Sequence, residues 1–142
     1  MLKLLENLKV VSNASPLIYL SKIGRLRILH DLFGVISIPD AVANEILRGK
    51  DLSDGFASAI DVEDAIETGW IKVEEPDKNE HDLAETYSRD PGIHPGEAVV
   101  LAIGRRFDLL LLGDLCCTRR LQKRVWHGGH DRSTTTILIL KN

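Results

Sequence analysis

The chain has 142 residues, 44% of them hydrophobic, enough to bury one core without disulfide or metal staples and too few for two comfortable domains. A formal net charge of -3 excludes a globally basic surface, so a nucleic-acid partner would have to meet a local patch. An aromatic content of 5% is too low to suggest a base-stacking platform, leaving backbone and shape as the means of recognition.

Taken in chain order, Met1 to Val11 interleaves Lys3, Glu6 and Lys9 with its leucines, which is not the pattern of a secretory signal. The apolar run Leu8 to Ser12 predicts a first strand, and "SPLIYL" behind it a helix from Ser15 to Phe33, broken near Gly24. Val35 to Ile38 predicts the second strand, and Asp40 after Pro39 starts a helix to Leu47. A helix from Ser53 to Thr68 leads to a third strand, Ile71 to Val73. The polar stretch "EEPDKNEHD", residues 74–82, reads as a solvated connection, followed by helices from Asp82 to Arg89 and from Pro95 to Arg106. Leu109 to Leu112, "LLLL", lacks polar alternation; it suits a strand covered on both faces, and Asp108, Gly113 and Asp114 at its ends favour that over a buried helix. A helix from Leu115 to Val125 follows, and in the weakly patterned "WHGGHDRSTTT", residues 126–136, a fifth strand is only a guess.

Strands alternating with helices predict an α/β fold, a three-layer α/β/α sandwich around a mostly parallel sheet, within a single domain spanning residues 1–142. No apolar run approaches the roughly 20 residues needed to cross a bilayer. Cys116 and Cys117, the only cysteines, are adjacent and can hardly meet disulfide geometry. A soluble protein of the reducing cytoplasm is expected, with no membrane partner.

In a parallel sheet, Asn13 and Asp114 fall just beyond the carboxyl ends of two strands, the rim where open α/β sheets build their sites. Glu45 shares a helical side with Ala41 and Val42, and Glu97 with Val100 and Leu101, so both stand at the edge of an inward stripe. Three carboxylates and an amide could thus surround one point. Such acids repel one another and persist at neutral pH when a cation offsets them; hard oxygen donors without Cys or His point to Mg²⁺ or Mn²⁺. That site suits phosphodiester hydrolysis, in which the metal activates a water and stabilises developing charge. Each residue also has an ordinary reading. Glu97 would complement a helix dipole, Glu45 would be a surface glutamate, Asp114 a helix cap, and Asn13 a loop residue bonding local amides.

The order "VSNASPLIYLSKIGRLRILHDLFG", "ISIPDAVANEIL", "IHPGEAVVLAIGRRFDLLLLGD" resembles the PIN-domain nucleases, in the branch related to VapC-type toxins, over residues 9–120. The resemblance implies Mg²⁺- or Mn²⁺-dependent cleavage of RNA by a homodimer that an antitoxin neutralises, with helices around Leu17 to Leu32 as the surface for a partner chain. It also implies that the family's four acids fall on Asn13, Glu45, Glu97 and Asp114, with Ser15 matching a small hydroxyl residue beside the substrate. Two departures stand out. Asn13 replaces the usual Asp, which removes one negative charge and weakens the expected hold on Mg²⁺. In "GD", Gly113 or Asp114 takes the fourth place. The alternative is therefore a catalytically weakened module that keeps the fold and binds RNA or protein.

Arg105, Arg106, Arg119, Arg120, Lys123 and Arg124 would form either a phosphate track near the acidic rim or a solvated helix face. Cys116, Cys117, His127 and His130 lack the spacing of a zinc site. His94, beside Pro95 and near Glu97, could touch a substrate phosphate.

Overall fold

The computed structural model describes residues 8–52, 55–113 and 136–139. Five short strands lie side by side: β1 (Val10–Ser12), β2 (Ile36–Pro39), β3 (Ile71–Glu74), β4 (Leu109–Leu112) and β5 (Thr136–Ile139). Their order is β3-β2-β1-β4-β5 and every neighbouring pair is parallel, with Ser12 beside Leu111, Pro39 beside Glu74 and Leu112 beside Ile139. All carboxyl ends therefore open on one rim. The chain builds outward from β1 to β3, then crosses back to lay β4 on the other side of β1, so the winding reverses between β1 and β4. Helices leave the rim in opposite directions at such a reversal, and a crevice opens there.

The four leucines of β4 are all buried, so their unbroken run reflects a strand covered on both faces. Val10, Val11, Leu17, Ile36, Ile38, Leu101, Ile103, Leu110 and Leu111 make the centre of the core. Helices α1 (Ala14–Lys22), α3 (Asp40–Leu47) and α4 (Phe56–Thr68) pack on one another, and α5 (Lys78–Ser88) packs on α6 (Pro95–Ile103). The result is the expected three-layer α/β/α sandwich with a parallel sheet. Among the described residues no helix is long and apolar enough to cross a membrane.

The helix after β1 breaks where expected. Gly24 turns the chain with a φ of 70°, open to glycine at no steric cost, and α2 (Arg27–Phe33) follows. Other boundaries differ from the sequence reading. Helix α1 starts at Ala14 rather than Ser15, because Pro16 fits the first turn, where no intrahelical acceptor awaits its missing N–H.

Residues 74–82 are not a connection throughout. Glu74 closes β3, and α5 starts at Lys78, four positions before Asp82. The reason is a capping box: Glu80 N–H donates to Asp77 Oδ1 at 2.8 Å, and Asp77 N–H donates to Glu80 Oε1 at 3.0 Å. Polar composition concealed a helix start. Helix α4 begins at Phe56, and Ser53 lies outside the described residues.

The helix expected to reach Arg106 is α-helical only to Ile103 and tightens into a 3-10 turn over Gly104–Arg106. That tightening brings Gly104 against Leu110, whose side chain would stand 2.8 Å from any β-carbon at position 104. The fifth strand begins at Thr136, the last residue of the weakly patterned stretch 126–136, and runs beyond it to Ile139. The helix predicted over residues 115–125 lies outside the described residues.

Candidate active site

Asn13 is the first residue past β1. Its backbone N–H still donates to Leu111 O at 3.1 Å, and its carbonyl accepts the Ser12 hydroxyl at 2.9 Å, so the main chain is held by sheet and neighbour together. It stands at the N-cap of α1, where an asparagine oxygen ordinarily accepts a helix amide, yet the side chain makes no such bond. Asn13 is 3% exposed, and Oδ1 finds no hydrogen-bond partner among the described residues. A buried carbonyl left this way destabilises by about 1–3 kcal/mol unless a ligand answers it.

The cleft that Asn13 lines has a volume of about 220 Å³. Ala14 and Ser15 complete the wall from α1, Glu45 enters from α3, and His94, Gly96 and Glu97 come from the start of α6. Glu97 lies in the first turn of α6 and is 5% exposed, so a carboxylate is buried close to the positive end of a helix dipole. Glu45 is more open. One of its oxygens, Oε1, lies 3.8 Å from His94 Nε2, and His94 Nδ1 accepts the Gly96 N–H at 3.2 Å, which caps α6.

Of the residues singled out in the sequence, Asn13, Ser15, Glu45 and Glu97 share this cleft. Asp114 lies outside the described residues. At Gly113 there is no room for a side chain: a β-carbon would stand 2.5 Å from Ser15 Cβ and 3.1 Å from the Pro16 ring. Any acid at position 113 would have to displace the first turn of α1. Among the described residues no three His, Cys, Asp or Glu side chains are grouped closely enough to hold a metal ion. Within that part of the chain, the cleft offers two carboxylates and an amide oxygen.

The basic residues at the end of α6 do not form a track beside this cleft. Arg106 donates to Glu80 Oε2 at 3.0 Å and to the Glu75 carbonyl at 3.2 Å, and lies 3.6 Å from Glu74 Oε2. Arg105 sits beside Tyr87, whose hydroxyl burial pushes to a pKa above its ordinary value while the guanidinium pulls the other way. Six residues of α-helical rise and three of 3-10 rise separate Arg106 from Glu97, about 15 Å along the axis. Arg119, Arg120, Lys123 and Arg124, with Cys116, Cys117, His127 and His130, lie outside the described residues. The stretch "HPGE" sets Gly96 between His94, which meets Glu45, and the buried Glu97.

An open parallel α/β sheet with oxygen donors gathered at its winding reversal defines a class of proteins that bind ligands at strand ends. Residues 9–124 match the profile of the family DUF3368, a PIN domain. The chain belongs to the PIN-domain family. PIN domains are generally nucleases that use divalent metal ions. No curated protein shows significant similarity to the chain.

Proposed function

We propose that this chain is a metal-dependent endoribonuclease of the VapC-related branch, the toxin of a toxin–antitoxin pair, hydrolysing phosphodiester bonds of RNA in the cytoplasm. The observation that carries the reading is the Asn13 side chain: an oxygen nine-tenths buried, without a protein partner, in the same cleft as Glu45 and Glu97. An oxygen-only donor set fits Mg²⁺ or Mn²⁺ rather than a softer metal.

Asn13, Glu45, Glu97 and Asp114 would hold the ion. When bound, it lowers the pKa of a water and offsets charge on the phosphate. Around it, Glu97 stands at the positive end of the α6 dipole, Glu45 accepts the proton that the attacking water loses, and the exposed Ser15 hydroxyl donates to a phosphate oxygen. Partner chains, a second copy or the antitoxin, would dock on the helices between β1 and β2, where Ile23, Ile28 and Leu32 are exposed.

One observation favours a second reading, a weakened module that binds RNA or protein: the residue at the end of β1 is a neutral amide where the family usually carries Asp. Cleavage of structured RNA by wild type and Glu97→Gln, with Mg²⁺ and with Mn²⁺, separates the two. The nuclease reading expects a loss of at least about 100-fold in the variant. Equal rates would remove Glu97 from the chemistry, and RNA bound but uncut by wild type would leave the module.

A further inference from the structure

We infer that the His94–Pro95–Gly96 turn is a seat for the Glu45 carboxylate, His94 steadying one oxygen through its Nε2–H and Gly96 leaving clearance beside the other. The inference rests on the reading of the cleft just given. It makes His94 and Gly96 positioning residues, acting through Glu45.

Glu45 needs such a seat because its carboxyl group ends a flexible side chain on the outer part of α3, 40% exposed, and ordering it costs conformational entropy. The two oxygens have different neighbours. Oε1 lies 3.8 Å from His94 Nε2, a charge–dipole contact rather than a hydrogen bond. Oε2 lies over Gly96, where an added β-carbon would approach it to 3.3 Å.

The tautomer of the neutral His94 ring follows from its cap. Because Nδ1 accepts the Gly96 N–H, it must offer a lone pair, so the neutral ring carries its hydrogen on Nε2, the nitrogen that faces Glu45. One side chain therefore caps α6 and presents an N–H to the acid across the cleft. Gly96 answers a different demand. Its backbone is not in the left-handed region, and an alanine in the first turn of a helix is ordinarily preferred to glycine. What the missing side chain provides is room: the atoms near the position of its β-carbon are Glu45 Oε2 and the His94 ring.

The test uses the full-length protein, with Mn²⁺ binding followed by electron paramagnetic resonance, RNA cleavage measured in parallel, and Tm as the control for folding. Gly96→Ala should keep or raise Tm while weakening Mn²⁺ binding about tenfold, the usual scale for a group that orients a metal ligand. His94→Asn retains a capping oxygen but not the reach to Glu45, and should weaken binding similarly at near-normal Tm. His94→Gln, whose amide N–H has the longer reach, should recover part of that loss. In metal-free wild type the His94 nitrogen chemical shifts should report the Nε2–H tautomer. Wild-type Mn²⁺ binding in both Gly96→Ala and His94→Asn, with binding weakened in Glu45→Gln, would overturn the seat and spare the nuclease reading. Unchanged binding in Glu45→Gln would instead remove Glu45 from the metal site, and the seat with it. Should Gly96→Ala not fold, His94→Asn and the tautomer decide.

Discussion

Gly113 and Ser15 meet across the end of the sheet so closely that a β-carbon on the first would stand 2.5 Å from Cβ of the second. The contact joins the residue after β4 to the first turn of α1, the two sides of the crevice at the winding reversal. It also bears on the fourth acid, since no side chain fits at position 113 without moving the helix that carries Ser15.

Gly113→Ala should therefore destabilise the protein by about 1–3 kcal/mol through overpacking. The Pro16 ring, 3.1 Å from the same point, limits how far α1 can yield. Combining it with Ser15→Gly removes one of the clashing atoms, so the pair should cost less than the sum of the singles by about 1 kcal/mol. Urea unfolding of the four proteins measures this coupling, and strictly additive losses would show that the two residues do not constrain each other.

Asn13→Asp should have opposite effects with and without metal. Asn13 is 3% exposed and shares its cleft with Glu45 and Glu97, so an added carboxylate there would be a third negative charge in poorly solvated surroundings. Metal-free Tm should fall by several degrees, while Mn²⁺ affinity rises about tenfold and RNA cleavage increases. Calorimetry with and without Mn²⁺ checks both signs. A lower Tm that Mn²⁺ does not restore would mean that the cleft holds no divalent ion.

Asp77→Ala should remove one arm of the capping box at the start of α5. The Glu80 N–H would lose its acceptor, at a cost of about 1 kcal/mol, or about 4 °C in Tm, whereas Asp77→Ser should retain most of the stability. The cap lies on the outside of the fold, away from the cleft, so RNA cleavage should not change. Equal Tm values for Ala and Ser would show that the cap contributes nothing.

Much of the architecture was legible because burial leaves a mark on composition. Four leucines in a row at 109–112 announce a strand with both faces covered, and Pro39–Asp40 and His94–Pro95 mark helix starts by backbone chemistry alone. The start of α5 was missed for the opposite reason. Asp77 and Glu80 are exposed polar residues, and their meaning lies in two reciprocal hydrogen bonds rather than in polarity.

The chain by itself determined an amide directly after β1, which a parallel βα repeat places on the rim of the sheet, and two acids on later helices. Only the tertiary structure decided which of them meet. Asn13, Glu45, His94 and Glu97 come from three separate segments, and their shared cleft depends on where the strand order reverses, a long-range choice that local pattern does not encode. The same holds for glycine. Gly24 is favoured by its own backbone angle, whereas Gly113 is required by a side chain about a hundred residues away, and Gly96 gives clearance to one about fifty residues away, both visible only once the helices are packed.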